Sequence, residues 1–186
     1  MLDVQSMKDD RGIEIQRVGL KDLHLPFQIK MRDGGFQQVQ GNVTIAVNLP
    51  HQFKGTHLSR FMELLLSWSE KPISGKEIRQ LLTGLTAHLS AAEAEISLKF
   101  RYFLPLKSPV SAIQGFLDYL GEFRGSLKQP ENLYDYRLGA GIPVLSLCPC
   151  SKEISEFGAH NQRAMIRALT RFKSPGKILW LEDLIE

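Results

Sequence analysis

Both cysteines of the chain and one of its five histidines lie in a single stretch, residues 146–163. Cys148 precedes His160 by twelve residues and Cys150 precedes it by ten. Thiolate and imidazole suit Zn²⁺ or Fe²⁺ better than Mg²⁺ or Ca²⁺. Either spacing allows one turn and a short helix to bring sulfur and ring nitrogen to a common ion. The stretch therefore predicts part of a metal site.

The number of ligands indicates which kind of metal site this is. A structural zinc site needs four protein ligands, and the sequence has no further cysteine. A catalytic site needs three and keeps a position for water, so one more ligand is expected. The alternative is that Cys148 and Cys150 are small buried residues and His160 is a hydrogen-bonded core histidine. No disulfide is expected between them, because one intervening proline leaves little freedom for S–S geometry.

Composition indicates an ordinary globular protein. The 186 residues are 43% hydrophobic and 23% charged, enough for one sizeable core or two small ones. The net charge of +3 is too small to indicate nucleic-acid binding, although it is compatible with a polyanionic substrate. Neither a membrane span nor a signal peptide is recognisable. We therefore expect neither nucleic acid nor membrane as a partner. Two neighbouring cysteines without a disulfide framework predict a cytoplasmic protein.

Alternation of apolar and polar residues predicts several strands. They cover residues 13–18, 23–29, 43–49, 94–104, 117–123, 134–147 and 164–171. Pro26 indicates that the strand at 23–29 is an edge or irregular strand. Pro105 is expected to end the strand at 94–104. Residues 33–35 predict a turn.

Helical signals are fewer. Ser74 and Glu77 form a capping box, followed by an apolar stripe that predicts a helix over residues 75–90. The apolar run at 61–66 is compatible with helix or strand, and residues 178–186 resemble the opening turns of a helix. Residues 1–12 predict a polar arm. Strands that surround a helix indicate the α+β class.

Residues 50–58 predict a polar loop that contains His51, Lys54 and His57. Cationic and imidazole side chains around Gly55 can bind phosphate or orient a proton transfer. A solvated connection without further function is the alternative.

Four blocks in this order resemble GTP cyclohydrolase type IB, the metal-dependent, GTP-opening enzyme family of folate biosynthesis. The central block is SLCPCSKEIS at 146–155 with GAHNQR at 158–163. The others are DVQS at 3–6 with DRGI at 10–13, VGLKDL at 18–23, and LP at 49–50 with KGTHLSRF at 54–61. Together they span most of the chain, which makes the match more specific than any single motif.

The resemblance implies the tunnelling fold, in which sheets with helices on one face join across subunits into a barrel. It implies two such units in tandem, with residues 1–150 as the first and 151–186 as the start of a second. The family's C-terminal part is then expected to be missing from this chain. A homotetramer with active sites at subunit interfaces is also implied.

The resemblance further implies that a metal-activated water opens the imidazole ring of GTP to give 7,8-dihydroneopterin triphosphate and formate. Cys148, in preference to Cys150, and His160 would hold the divalent ion, which is zinc, manganese or iron. The family's third metal ligand and its guanine-binding carboxylate are expected beyond Glu186. The catalytic candidates are Cys148 and His57. Lys54, Arg60 and Arg163 are the candidates for contacting the triphosphate, with surface or structural roles as alternatives.

Two further hypotheses remain open. One is an archaeal-type cyclohydrolase that gives a cyclic phosphate product from the same site. The other is a non-catalytic oligomerisation or binding module that has the same fold.

Overall fold

A computed structural model describes residues 12–156, 160–172 and 179–186. Within them, the strands are β1 (Ile15–Lys30), β2 (Phe36–Leu49), β3 (Pro72–Ile73), β4 (Glu93–Lys107), β5 (Gln114–Lys128), β6 (Leu133–Leu147) and β7 (Asn161–Phe172). The helices are α1 (Leu58–Ser69), α2 (Gly75–Leu89), α3 (Pro149–Ile154) and α4 (Leu181–Ile185). The α+β class is confirmed. Most of the predicted N-terminal arm lies outside the described residues.

The described strands form one sheet in the order β3-β1-β2-β4-β5-β6-β7. Every neighbouring pair is antiparallel except β1 with β3. Direction therefore reverses at each step from β2 through β4 and β5 to β6, so β2 and β6 run in opposite directions. This reversal decides where the candidate functional residues lie.

Helices α1, α2 and α4 cover one face of the sheet, and the core lies between them and the strands. In β2 the odd positions from Val43 to Leu49 are buried, as the alternation predicts. The helical stripe that begins at Ile78 and contains Leu81, Leu82 and Leu85 is also buried. The undecided run at 61–66 belongs to α1, with Phe61 and Leu65 on its inward face.

Helix α2 begins at the predicted capping box. The Ser74 N–H donates to Oε2 of Glu77 at 3.0 Å, and Lys30 Nζ donates to Oε1 of the same carboxylate at 2.7 Å. Glu77 thus caps α2 and joins it to the end of β1.

The prediction that Pro105 ends its strand is wrong, because β4 continues to Lys107. The side chain of Gln37, on β2, hydrogen bonds to both the N–H and the C=O of Phe103. Residues two apart in a strand direct their backbone groups to the same side, so Pro105 faces the β2 side as well. Backbone pairing with β2 stops at Phe100, so no ladder bond is lost. Pro26 lies where β1 pairs only with β2, which agrees with the predicted edge position.

The C-terminal helix α4 docks beside the β1–β2 turn. Tyr102, fully buried in β4, donates a 2.6 Å hydrogen bond to Oε1 of Glu182, and the Arg32 N–H donates to the same oxygen at 3.1 Å. Within the described residues, Oε2 of Glu182 has no hydrogen-bond partner. The Arg32 guanidinium pairs with Asp183 and Glu186. None of the described helices is long and apolar enough to cross a membrane.

Candidate active site

The cysteine stretch forms a closed turn between β6 and β7. β6 ends at Leu147, and Cys148 is the residue before α3. Pro149 occupies the first helical position, where a backbone N–H has no partner within the helix, so proline loses no hydrogen bond there. His160 stands directly before β7. The Cys148 N–H donates to the His160 C=O across 3.3 Å, so the backbone brings the two predicted metal ligands together.

Ser151 joins this pair from the first turn of α3. Its hydroxyl lies 2.9 Å from Nδ1 of His160. A hydroxyl can donate or accept, so Ser151 satisfies Nδ1 in either tautomer of the ring. Within the described residues Nε2 has no hydrogen-bond partner. An imidazole held at one nitrogen with the other available is typical of a metal-binding histidine.

Hydrogen bonds also affect the cysteine. Those from the side chain and backbone of Ser151 hold the pKa of the Cys148 thiol below its ordinary value. The thiolate is the form that binds metals. Cys148 is half-buried while Cys150 and His160 are exposed, so the alternative of buried packing residues is wrong. Both cysteines are free, as predicted.

Cys148 and His160 fit a divalent metal as two donors of suitable type. Among residues 12–156, 160–172 and 179–186, however, no group of three or more His, Cys, Asp or Glu side chains is arranged to hold an ion. The described chain therefore offers a two-donor pair. A third protein ligand beyond Glu186 stays a prediction.

The predicted substrate loop connects β2 to α1. Lys54 is exposed, and His57 is half-buried at the residue before α1, where its C=O accepts the Arg60 N–H at 3.1 Å. The Arg60 guanidinium donates to the His88 C=O at 3.0 Å, which joins the start of α1 to the end of α2. Arg60 thus has a structural contact beside its predicted contact with substrate.

The loop and the cysteine stretch lie at opposite ends of the sheet. The loop follows the end of β2 at Leu49, and the cysteine stretch follows the end of β6 at Leu147. These strands run in opposite directions with β4 and β5 between them. A 15-residue strand such as β6 is roughly 50 Å long. One subunit therefore does not bring His57 and Lys54 beside Cys148.

Arg163 lies at the cysteine end of the sheet. It is exposed on β7, opposite Leu145 on β6 and three residues after His160. Of the predicted triphosphate contacts, Arg163 is therefore the one that shares an end of the sheet with the metal-ligand pair.

Ser151 is the candidate that sequence reasoning missed. A sequence signal does exist. Cys148 is the N-cap of α3 and Ser151 is the third helical residue, a position whose side chain turns back towards the cap. The position of His160 beside it depends on the β6–β7 pairing, which sequence spacing does not specify.

A family model described as type I GTP cyclohydrolase FolE2 matches residues 1–186. The chain is 41% identical over 184 residues to GTP cyclohydrolase FolE2 of Magnetococcus marinus, a match that covers 99% of this chain and 67% of the relative. It is 42% identical over 186 residues to the FolE2 of Pseudothermotoga lettingae, covering 100% and 70%. It is 41% identical over 185 residues to that of Syntrophobacter fumaroxidans, also covering 100% and 70%.

Proposed function

Because the chain belongs to the type I GTP cyclohydrolase FolE2 family, we propose that it is a GTP cyclohydrolase of folate biosynthesis. The reaction opens the imidazole ring of GTP to give 7,8-dihydroneopterin triphosphate and formate. The structural observation that carries the proposal is the cluster in which Ser151 contacts His160 and the backbone of Cys148 pairs with that of His160.

The protein's own residues have separate tasks in this proposal. Cys148 and His160 would hold a divalent ion, either zinc, manganese or iron, with Ser151 holding the imidazole in place. Such an ion, when bound, activates water for hydrolysis. His57 would transfer a proton, because an imidazole can accept or donate one near neutral pH. Lys54, Arg60 and Arg163 would bind the triphosphate.

The opposite positions of the loop and the cysteine stretch support an active site shared between subunits. In a homo-oligomer, the end of β6 of one subunit can meet the end of β2 of another. The outer edge of β7 has no partner strand among the described residues, so a neighbouring subunit can extend the sheet there. This agrees with the proposed tunnelling fold and homotetramer. A cytoplasmic location is proposed from the two neighbouring cysteines, which form no disulfide in the described residues.

The domain organisation is part of the proposal. A boundary near residue 150 falls inside α3, and β7 beyond it pairs with β6. The proposed second unit, from residue 151, therefore begins by extending the sheet of the first.

Type IB is the proposed subtype, because the four sequence blocks that include residues 146–163 resemble that type. A non-catalytic module is the second candidate function, because the described residues supply two of the three protein ligands that a catalytic metal site needs. The cyclic-phosphate product of an archaeal-type enzyme is an alternative outcome of the same chemistry.

The test is to incubate the metal-depleted protein, in the complete form that the cell makes, with GTP and zinc, manganese or iron(II). Formate release and phosphorus NMR of the product are measured, with Cys148→Ala as the inactive control. We expect metal-dependent formate release and a linear triphosphate product. A cyclic-phosphate signal would show that the enzyme forms the archaeal-type product instead of the linear triphosphate. A folded protein that releases no formate with any of the three metals would overturn the proposal in favour of the non-catalytic module.

A further inference from the structure

The face of the sheet opposite α1 and α2 contains a groove of about 790 Å³. This volume lies within the range of about 300–1,000 Å³ that is usual for small-molecule sites. The groove crosses the middle of the sheet, from β1 and β2 to β7. Its charged lining residues, contributed by β4, β5 and β7, are Lys99, Arg101, Glu122, Arg124 and Arg167. Four cations and one carboxylate give the lining a net positive charge.

Two of the cations are already neutralised. Arg124 contacts Glu122 at 2.8 Å, and Arg101 pairs with Asp118. Lys99 and Arg167, in contrast, have neither an ion pair nor a hydrogen bond from their side chains to the described part of the chain. Neither side chain therefore forms an ion pair in the described part of the chain, although Glu122 lies opposite Lys99 on β5.

The sheet register aligns two of the lining cations across the groove. Arg101 lies opposite Leu120, Leu120 opposite Gly141, and Gly141 opposite Arg167. Arg101 and Arg167 thus share one row, roughly 14 Å apart over three strand spacings. Between them, Gly141 has no side chain and the Leu120 side chain lies against it, because a Cβ added at Gly141 would come within 3.0 Å of Cβ of Leu120. The row is therefore cationic at both ends with one leucine in the middle.

Three amide side chains and one histidine border the other end of the groove. They are Gln38, Gln40, Asn42 and His24, on β1 and β2. Amide groups donate hydrogen bonds to phosphate or carboxylate oxygens without adding charge. Lysine and arginine supply the charge-assisted bonds that anions require.

We propose that this groove is a binding site for a small polyanion that carries several phosphates, held by Lys99 and Arg167. It is separate from the candidate active site. Gly141 lies six residues from the end of β6 at Leu147, roughly 20 Å from the cysteine stretch. The His57 loop lies beyond the opposite end of the strands. The inference does not depend on turnover of GTP.

Inorganic triphosphate is the probe, and its binding to the metal-free protein is measured by calorimetry at several salt concentrations. Lys99→Gln and Arg167→Gln are each expected to weaken binding at least tenfold and to reduce its salt dependence. Lys128→Gln is the matched control, because Lys128 pairs with Glu93 at the end of β5 outside the groove. Circular dichroism and thermal melting confirm that each variant is folded.

Cys148→Ala is expected to bind triphosphate like the wild type, which makes this result independent of the proposed enzyme activity. Lack of binding to the wild type, or equal affinity in both groove variants and the control, would overturn the site. Binding that is lost in Lys54→Gln or Arg163→Gln but kept in the groove variants would place the anion elsewhere and would also overturn it.

Discussion

The Ser151 hydroxyl lies 2.9 Å from Nδ1 of His160, so the predicted metal ligand is held by the first turn of α3. Ser151→Ala removes this contact and leaves the ring free to rotate. Loss of such an outer partner typically costs about 10–100-fold in metal affinity. We expect zinc affinity, measured by competition with a chromophoric chelator, to fall at least tenfold.

Ser155→Ala is the matched control, because Ser155 is exposed in the same segment and follows the last residue of α3. It should bind zinc like the wild type. If Ser151→Ala and the control bind equally well, the hydroxyl does not position His160.

The two cysteines should respond differently to substitution. Cys148 is half-buried beside Ser151 and His160, while Cys150 is exposed. Cys148→Ala is expected to abolish metal binding and formate release, whereas Cys150→Ala retains most of both. Metal content after dialysis is the measurement. Equal metal content in Cys148→Ala and the wild type would refute the assignment of Cys148 as a ligand.

The sequence predicted the local features of the fold better than the site. The capping box at Ser74 and the alternation at 43–49 act over a few residues, and both were confirmed. The prediction at Pro105 was wrong, because a proline interrupts a strand only where the neighbouring strand still pairs with it, and β2 no longer pairs there. The contact of Ser151 with His160, and the separation of His57 from Cys148, follow from strand pairing between distant segments. Spacing along the chain does not contain that information.

The buried hydrogen bond of Tyr102 to Glu182 should contribute to stability. Tyr102→Phe leaves the carboxylate of Glu182 without this donor, in a position only 5% exposed. Oε1 of Glu182 keeps the bond from the Arg32 N–H, so one hydrogen bond is lost. Such a bond contributes about 0.5–1.5 kcal/mol, so we expect the free energy of unfolding to fall by about 1 kcal/mol in urea denaturation. Tyr119→Phe, at a buried tyrosine of the neighbouring strand, is the control. A loss no greater than that of the control would show that the bond contributes little.

The capping carboxylate of Glu77 should make stability depend on acid pH. Burial raises the pKa of Glu77, but hydrogen bonds from Lys30 and Ser74 outweigh it and hold the pKa below its ordinary value of 4.5. The unfolded chain then binds the proton more readily than the folded one. The contribution is full above about pH 4.5 and is lost as the pH falls through the folded-state pKa.

Glu77→Gln should therefore flatten the fall in melting temperature below pH 5 relative to the wild type. Glu63→Gln, at an exposed position of α1, should leave that slope unchanged. Parallel acid profiles for Glu77→Gln and the wild type would contradict the role of this carboxylate.

The separation of His57 from Cys148 predicts complementation between two inactive variants. His57 follows β2 and Cys148 follows β6, at opposite ends of the same sheet. If one active site takes its loop from one subunit and its cysteine from another, each single variant damages every site of its own oligomer. An oligomer that mixes His57→Ala with Cys148→Ala contains some sites with both residues intact.

We expect each variant alone to release little formate from GTP, and a mixture, dissociated and reassembled together, to regain about a quarter of wild-type activity by random pairing of subunits. His57→Ala should also melt close to the wild type, since a histidine in a polar loop adds little packing. The control mixes Cys148→Ala with His160→Ala, because both residues lie in the same turn of one subunit and no mixed site has an intact pair. That mixture should stay inactive. Activity that fails to return when His57→Ala and Cys148→Ala subunits are shown to share oligomers would mean that each site is built within a single chain.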